Sequence, residues 1–160
     1  MLATLSACAP DSHMAGPAMS GQVALQSVSP ASGATGVSLA MPMTMRFSGA
    51  MGRGMESYVL LHEETLTGPA VAGRWTWSGD RRTLTFTPDA PLRARTTYLI
   101  HMGGGMRAAD GALLDYASCA GLGGRSVSAG MMAGGGSGMM GSGWQGGDGG
   151  YGMIFTFTTA

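Results

Sequence analysis

The stretch "MPMTMRF", residues 41–47, places Met41, Met43, Met45 and Phe47 at every second position, with Pro42, Thr44 and Arg46 between them. A period of two sends alternate side chains to opposite faces of an extended chain, so the pattern is that of a half-buried strand. Pro42 suits the beginning of such a strand or an edge position, where no ladder donor is lost. The same period returns along the chain. "QVALQSVS" (22–29) alternates loosely and ends at the turn cluster "PASGATG". "SYVLLHEE" (57–64) and "AVAGRWTW" (70–77) read as two further strands, the second with Val71, Trp75 and Trp77 on one face. "SGDRR" turns the chain, and "TLTFT" (83–87) returns with Leu84 and Phe86 inward, a hairpin with glycine in its loop. Beyond the two-proline corner at "PDAPL", Tyr98, Ile100 and Met102 share a face, and "MIFTFTT" (153–159) sets Met153, Phe155 and Phe157 together. No window sustains helical periodicity. About seven short strands between turn clusters predict an all-β chain, a sandwich of two antiparallel sheets. Trp75, Trp77, Leu84, Phe86, Tyr98, Ile100, Phe155 and Phe157 are its expected interior.

The order of these blocks resembles a known family. "SVSPASGATGVSLAMPMTMRFSGAM", "WSGDRRTLTFTPDAPLRARTTYLIHM", "AADGALLD" and "FTFTT" are similar to successive parts of the SbsA-type bacterial Ig-like domain. That pattern has a Ser-Pro-x-x-Gly-x-x-Gly turn, a Pro-x-x-x-x-Phe-Ser strand, a Thr-Leu-x-Phe-x-Pro block and a closing Phe-Thr-Thr. The resemblance covers residues 25–116 and 153–160. It implies a secreted or envelope-exposed Ig-like β-sandwich without catalytic residues, a spacer or adhesion module whose partner is a protein or another envelope component. The sandwich is expected over 22–160. The departure from the pattern is the segment 117–152, far longer than the family's link before the last strand.

Fifteen of the chain's 29 glycines fall in that segment. Glycine loses more conformational freedom on ordering than any other residue, and the segment has little apolar area to offset the loss. A long insertion costs a folded domain little, since fourfold lengthening of a link adds only about 1.2 kcal/mol of closure entropy. The expectation is a Gly/Met-rich, disordered loop before the last strand.

At the other end, "LSAC" (Leu5–Cys8) resembles the lipobox of bacterial lipoproteins, in which the cysteine becomes the lipidated first residue. The loose polar stretch after it makes 1–21 a lipobox-like segment and tether. A secretory signal also needs a basic region and an apolar stretch of about 7–15 residues. Only "MLATLSA" precedes Cys8, so the lipoprotein reading carries with it a start upstream of Met1. It implies a cell-envelope protein joined to the membrane only through the lipid on Cys8. Lipidation would leave Cys119 unpaired; without it a Cys8–Cys119 disulfide is open.

Composition narrows the remaining classes. Nine basic and nine acidic residues balance, charged residues are 11% of the chain, and all nine basic ones are arginine. Such a chain has no electrostatic footprint for nucleic acid. "MGGGM" and "MAGGGSG" lack the lysine and the following helix that a phosphate loop requires. "ADGALLD" (109–115) lacks the acidic ladder of a calcium loop and reads as a turn.

Fifteen methionines raise a different chemistry. Thioethers are soft ligands suited to Cu(I), with imidazole as companion. One cluster is His13, Met14 and Met19; a second joins His101, Met102 and Met106 of "HMGGGM" with Met131, Met132, Met139 and Met140 of the loop. In composition and general architecture this is similar to the periplasmic copper-resistance protein C family, though no sequence block matches. The competing reading needs no cofactor: Met41, Met43 and Met45 fill the core, Met51 follows the family's Phe-Ser, and the loop methionines are slack.

The rest is structural in expectation. His101 lies on the face opposite Tyr98 and Ile100 and is expected in solvent. His62, beside Glu63 and Glu64, is expected to have a raised pKa. No serine or cysteine paired with a base stands near either histidine in sequence, so no nucleophile emerges, and the chain reads as no enzyme. Tyr98 resembles a tyrosine corner whose hydroxyl ties back to main chain. Trp144 and Tyr151, isolated among glycines, are expected to dock on the sandwich's own edge or remain disordered.

Overall fold

A computed structural model describes residues 22–127 and 152–160. It holds nine strands, two more than the alternation marks: β1 (Leu25–Ser29), β2 (Ala34–Val37), β3 (Met43–Phe47), β4 (Val59–Glu63), β5 (Gly73–Trp77), β6 (Thr83–Pro88), β7 (Thr97–Met102), β8 (Arg125–Val127) and β9 (Gly152–Thr159). A 3-10 turn at Met55–Tyr58 leads into β4, and one helical turn, α1 (Ala117–Ala120), precedes β8. One sheet runs β1-β3-β6-β5; the other runs β2-β9-β7-β4, with β8 added beside β9. All pairings are antiparallel except β2 with β9. This is the Ig-like β-sandwich that the sequence predicts.

The interior forms where the period-two faces meet. From the first sheet come Leu25, Met43, Met45, Phe47, Leu84 and Phe86; from the second come Val59, Leu61, Tyr98, Ile100, Met102, Met153, Phe155 and Phe157. Register lines these up in rows: Ile100 opposite both Leu61 and Phe155, Tyr98 opposite Phe157, Met45 opposite Leu84. Cross-strand pairs of large side chains are what stabilises such a face. Trp75 and Trp77 pack against the core but stay half-buried at the sheet's edge, with rings against Phe86 and Phe47 at 4.7 and 5.7 Å. Trp77 keeps its indole N–H satisfied by donating to Glu56 Oε2 at 2.7 Å, which accounts for its position near solvent. Met41 is exposed rather than in the core, since β3 starts only after Pro42.

Three local features depart from the strands expected. The run 70–77 is not one strand. Ala70 bridges to His62 and Val71 N–H donates to Leu61 in the second sheet, whereas Gly73–Trp77 pairs with β6 in the first. The chain changes sheets at Ala72, which the single strand read over 70–77 conceals. β2 falls inside the turn cluster "PASGATG", with Gly33 and Gly36 at positive φ and a short, irregular parallel pairing to Phe157 and Thr159. Finally, the first eleven residues of the segment expected to be slack are built: α1 and β8 occupy 117–127, and β8 pairs with β9 in register Val127–Gly152. Residues 128–151, with Met131, Met132, Met139, Met140, Trp144 and Tyr151, lie outside the described residues. So do residues 1–21, including Cys8, His13, Met14 and Met19.

Candidate functional site

Alternation on β4, β7 and β9 leaves a second row of side chains pointing away from the core. Leu60 stands opposite His101, His62 opposite Leu99, and His101 also opposite Ile154. Because His62 and His101 sit on adjacent strands two positions out of register, they are diagonal neighbours on one face. Their rings lie 5.9 Å apart, centroid to centroid, inclined at 45°. Both are fully buried. The expectation of a solvent-exposed His101 is therefore corrected: the strand's period assigned the right face, but that face is not open.

Burial decides the protonation of the pair. Desolvation lowers the pKa of His62, against a smaller raising effect from its hydrogen bond to Gly68. Glu63 and Glu64 do not raise it, contrary to expectation: neighbours in a strand point to opposite faces, and Glu63 instead pairs with Arg93 at 2.7 Å. His101 is pushed down to about 4, first by burial and then by the charge of His62. Both imidazoles are neutral at pH 7. His62 Nδ1 lies 3.1 Å from the Gly68 carbonyl. A carbonyl only accepts, so Nδ1 carries the proton and Nε2 keeps its lone pair. That Nε2 is buried and has no hydrogen-bond partner among the described residues.

The other residues of the expected metal cluster are drawn elsewhere. Met102 points into the core, on the face opposite His101, and Met106 is fully buried in the same core. The "HMGGGM" loop is tied down by Tyr116, whose hydroxyl donates to Gly103 O at 2.7 Å and accepts from Met106 N–H at 3.0 Å. Burial pushes the Tyr116 pKa up to about 12. His101, Met102 and Met106 thus do not converge on one ion. Among the described residues no group of three or more His, Cys, Asp or Glu converges either. Sequence reasoning missed His62 as the companion of His101 because their proximity is set by register between β4 and β7, not by spacing.

Cys119 is free and buried in the core cluster, and burial raises its pKa to about 11. A thiol of that pKa holds almost no thiolate at neutral pH and is a poor nucleophile. Tyr98 is the corner its position predicts: its hydroxyl accepts the Arg93 N–H at 2.9 Å, five residues upstream. "ADGALLD" is a turn, with Asp110 Oδ1 accepting the Ala112 N–H and Gly111 at positive φ.

A sandwich of two such sheets with a tyrosine corner defines an Ig-like domain. The family model for the bacterial Ig-like domain matches residues 20–118, and the chain belongs to that family. No curated protein matches it. Among solved structures it is similar to an L,D-transpeptidase from Mycobacterium smegmatis, at 29% identity and a TM-score of 0.41 over 53% of this chain and 37% of that one. It is similar to Mycobacterium tuberculosis L,D-transpeptidase 1 at 22% identity and 0.39, over 48% and 34%. The S-layer protein SbsC is matched at 13% identity and 0.42, over 59% and 12%. The chain thus spans little more than a third, or less, of these proteins.

Proposed function

We propose that the chain is a non-catalytic Ig-like module of the bacterial cell envelope, held at a membrane by lipid on Cys8. Its role is structural or adhesive, towards a protein or another envelope component. The observation that carries this reading is the bacterial Ig-like family match over residues 20–118, which begins shortly after the lipobox-like "LSAC". The side-chain chemistry favours the same reading. The sandwich interior is packed with large apolar side chains, methionines among them, its tyrosine hydroxyls tie main chain, and its buried thiol is held protonated.

The test is made in the native host. Mass spectrometry of the membrane-extracted protein is expected to find a diacylglyceryl adduct on Cys8, and Cys8→Ser is expected to release the protein from the membrane fraction. A soluble, unmodified form that retains Met1 would overturn the anchor. The envelope role itself is read by location: a tagged protein found in the cytoplasm of intact cells would refute it.

A further inference from the structure

We infer that β5 is a self-association edge: two copies of this chain pair through it as antiparallel strands about a two-fold axis at Trp75. The inference is independent of how the domain is tethered. It starts from the phase of the strand's hydrogen bonds. Ser78 N–H donates to Thr83 O and Asp89 N–H donates to Ala72 O, at the two ends of the β5-β6 ladder. Antiparallel bonding repeats at every second residue, so Arg74 and Thr76 also turn their main-chain groups to β6. Gly73, Trp75 and Trp77 turn theirs outward, and among the described residues those groups have no hydrogen-bond partner. A row of open N–H and C=O groups is a template for another strand.

Other sheet margins are closed in ways that β5 is not. β4 has residues 69–71 along its outer side, where Glu63 N–H donates to Pro69 O and Val71 N–H to Leu61 O. At β1, the Leu25 N–H donates to Ser118 Oγ, and Ala24 bridges to Asp115. β5 pairs with β6 along its whole length without a bulge, and it contains no proline. Bulges and prolines are usual devices for blunting an edge. Its inward side chains Trp75 and Trp77 stay half-buried. Covering an edge that carries two part-exposed indoles buries apolar surface as well as making hydrogen bonds.

The occupant follows from the strand's own sequence, Gly-Arg-Trp-Thr-Trp, which complements itself in one register. With the axis at Trp75, Trp75 faces the partner's Trp75, Gly73 the partner's Trp77, and Arg74 the partner's Thr76. Every outward N–H and C=O is then satisfied. The two Trp75 rings form an aromatic cross-strand pair, extending the contact Trp75 already makes with Phe86. A side chain at position 73 would run into the Phe86 ring and the Thr87 carbonyl. The backbone there is therefore bare, and an aromatic residue across from an edge glycine covers it. Neighbouring registers are worse. An axis at Arg74 sets two guanidiniums opposite each other, a destabilising like-charge pair. An axis at Thr76 pairs Gly73 with the partner's Gly79, beyond the strand's end. The formal net charge of the chain is zero, so no long-range repulsion opposes the approach of two copies.

Sedimentation velocity of the full chain over about 1 µM to 1 mM is expected to show a reversible monomer–dimer equilibrium. At the concentrated end, amide hydrogen exchange at Gly73, Trp75 and Trp77 is expected to slow about tenfold relative to the dilute end. Exchange at Arg74 and Thr76, already bonded to β6, should change far less. This readout uses wild-type protein and depends on no variant. The exposed side chains of Arg74 and Thr76 supply a second one. Thr76→Glu sets a carboxylate opposite the partner's Arg74 and is expected to tighten the dimer about two- to thirtyfold, the range for two such cross-strand pairs. Adding Arg74→Glu to it sets carboxylates face to face and is expected to weaken the dimer by a similar factor, both changes shrinking at high salt. A monomer throughout the range would leave the edge to a strand from another protein and overturn the self-pairing. Dimerisation indifferent to both variants, or exchange protection falling on another strand, would overturn it equally.

Discussion

The outer faces of the two sheets are built by the same alternation and have opposite characters. On the first sheet the outward positions are Thr44, Arg46, Arg74, Thr76, Thr83 and Thr85, all half-buried or exposed. On the second they are Leu60, His62, Leu99, His101, Ile154 and Thr156, of which His62, His101 and Ile154 are buried. An antiparallel sheet commonly has one face on the core and one in water. The first sheet follows that rule. The second does not, and it is the one that carries the buried histidines. Among the described residues, burial on a face turned away from the core is thus a property of the second sheet alone.

The sharpest way to break this contrast is to put a charge on each face. Ile154→Lys is expected to cost about 3–5 kcal/mol, the range for an uncompensated buried charge. Thr76→Lys, on the exposed face of β5, is expected to stay within about 0.5 kcal/mol of the parent, as surface substitutions do. Urea melts of the two variants make the comparison directly. Equal costs would mean that the two faces are equally open and that the contrast is false.

The next effect is pH-dependent and belongs to the second face alone. His101 has a folded pKa of about 4, below the ordinary 6.5, because burial disfavours its charged form. Between these values the unfolded chain binds more protons than the folded one, so stability rises with pH. The contribution is fully present above about 6.5 and is lost as pH falls towards 4. A shift of that size corresponds to about 3 kcal/mol at most, and His62, shifted the same way, steepens the loss. Melting temperature is expected to fall across this window. In His101→Gln the fall should be shallower, and an unchanged slope in that variant would show that other groups govern it.

How much of this the sequence discloses depends on which neighbours a residue needs. Period-two alternation predicts the inward sets on β6, β7 and β9, and it predicts that His101 faces away from Tyr98 and Ile100, because face is a property of a single strand. It does not predict that His101 is buried or that His62 lies beside it. Those follow from register between strands separated by more than thirty residues. The change of sheet at Ala72 is hidden for a similar reason: the segment 70–77 reads alike whichever partner it pairs with. Tyr98 was legible because a corner is local. Tyr116, which does comparable work across thirteen residues to Gly103, carries no local signature.

That pair of tyrosines gives a smaller test within the same comparison of local and distant ties. Tyr116→Phe leaves two partners behind, the Gly103 carbonyl and the Met106 N–H. Tyr98→Phe leaves the Arg93 N–H. A buried group stripped of its hydrogen bond costs about 1–3 kcal/mol, so Tyr116→Phe is expected at the upper part of that range and Tyr98→Phe at the lower. Calorimetric unfolding of both variants decides the order.

The smallest effect is expected at the ion pair of Arg93 and Glu63 on the second sheet's flank. Arg93 Nη1 lies 2.7 Å from Glu63 Oε1, but the Arg93 side chain is 76% exposed while Glu63 is 16% exposed. Water screens such a pair, and holding two long side chains in one geometry costs rotamer entropy. Its net contribution is expected below about 1 kcal/mol. Arg93→Ala isolates this quantity well, because the Tyr98 corner uses the Arg93 backbone N–H and its carbonyl accepts from Thr159 Oγ1. Neither bond needs the guanidinium. A double-mutant cycle with Glu63→Gln, run at low and high salt, is expected to give a coupling near zero that shrinks further with salt. A coupling above about 2 kcal/mol that salt leaves unchanged would place the pair in a drier setting than its exposure allows. The flank of the second sheet would then share the closed character of its outer face.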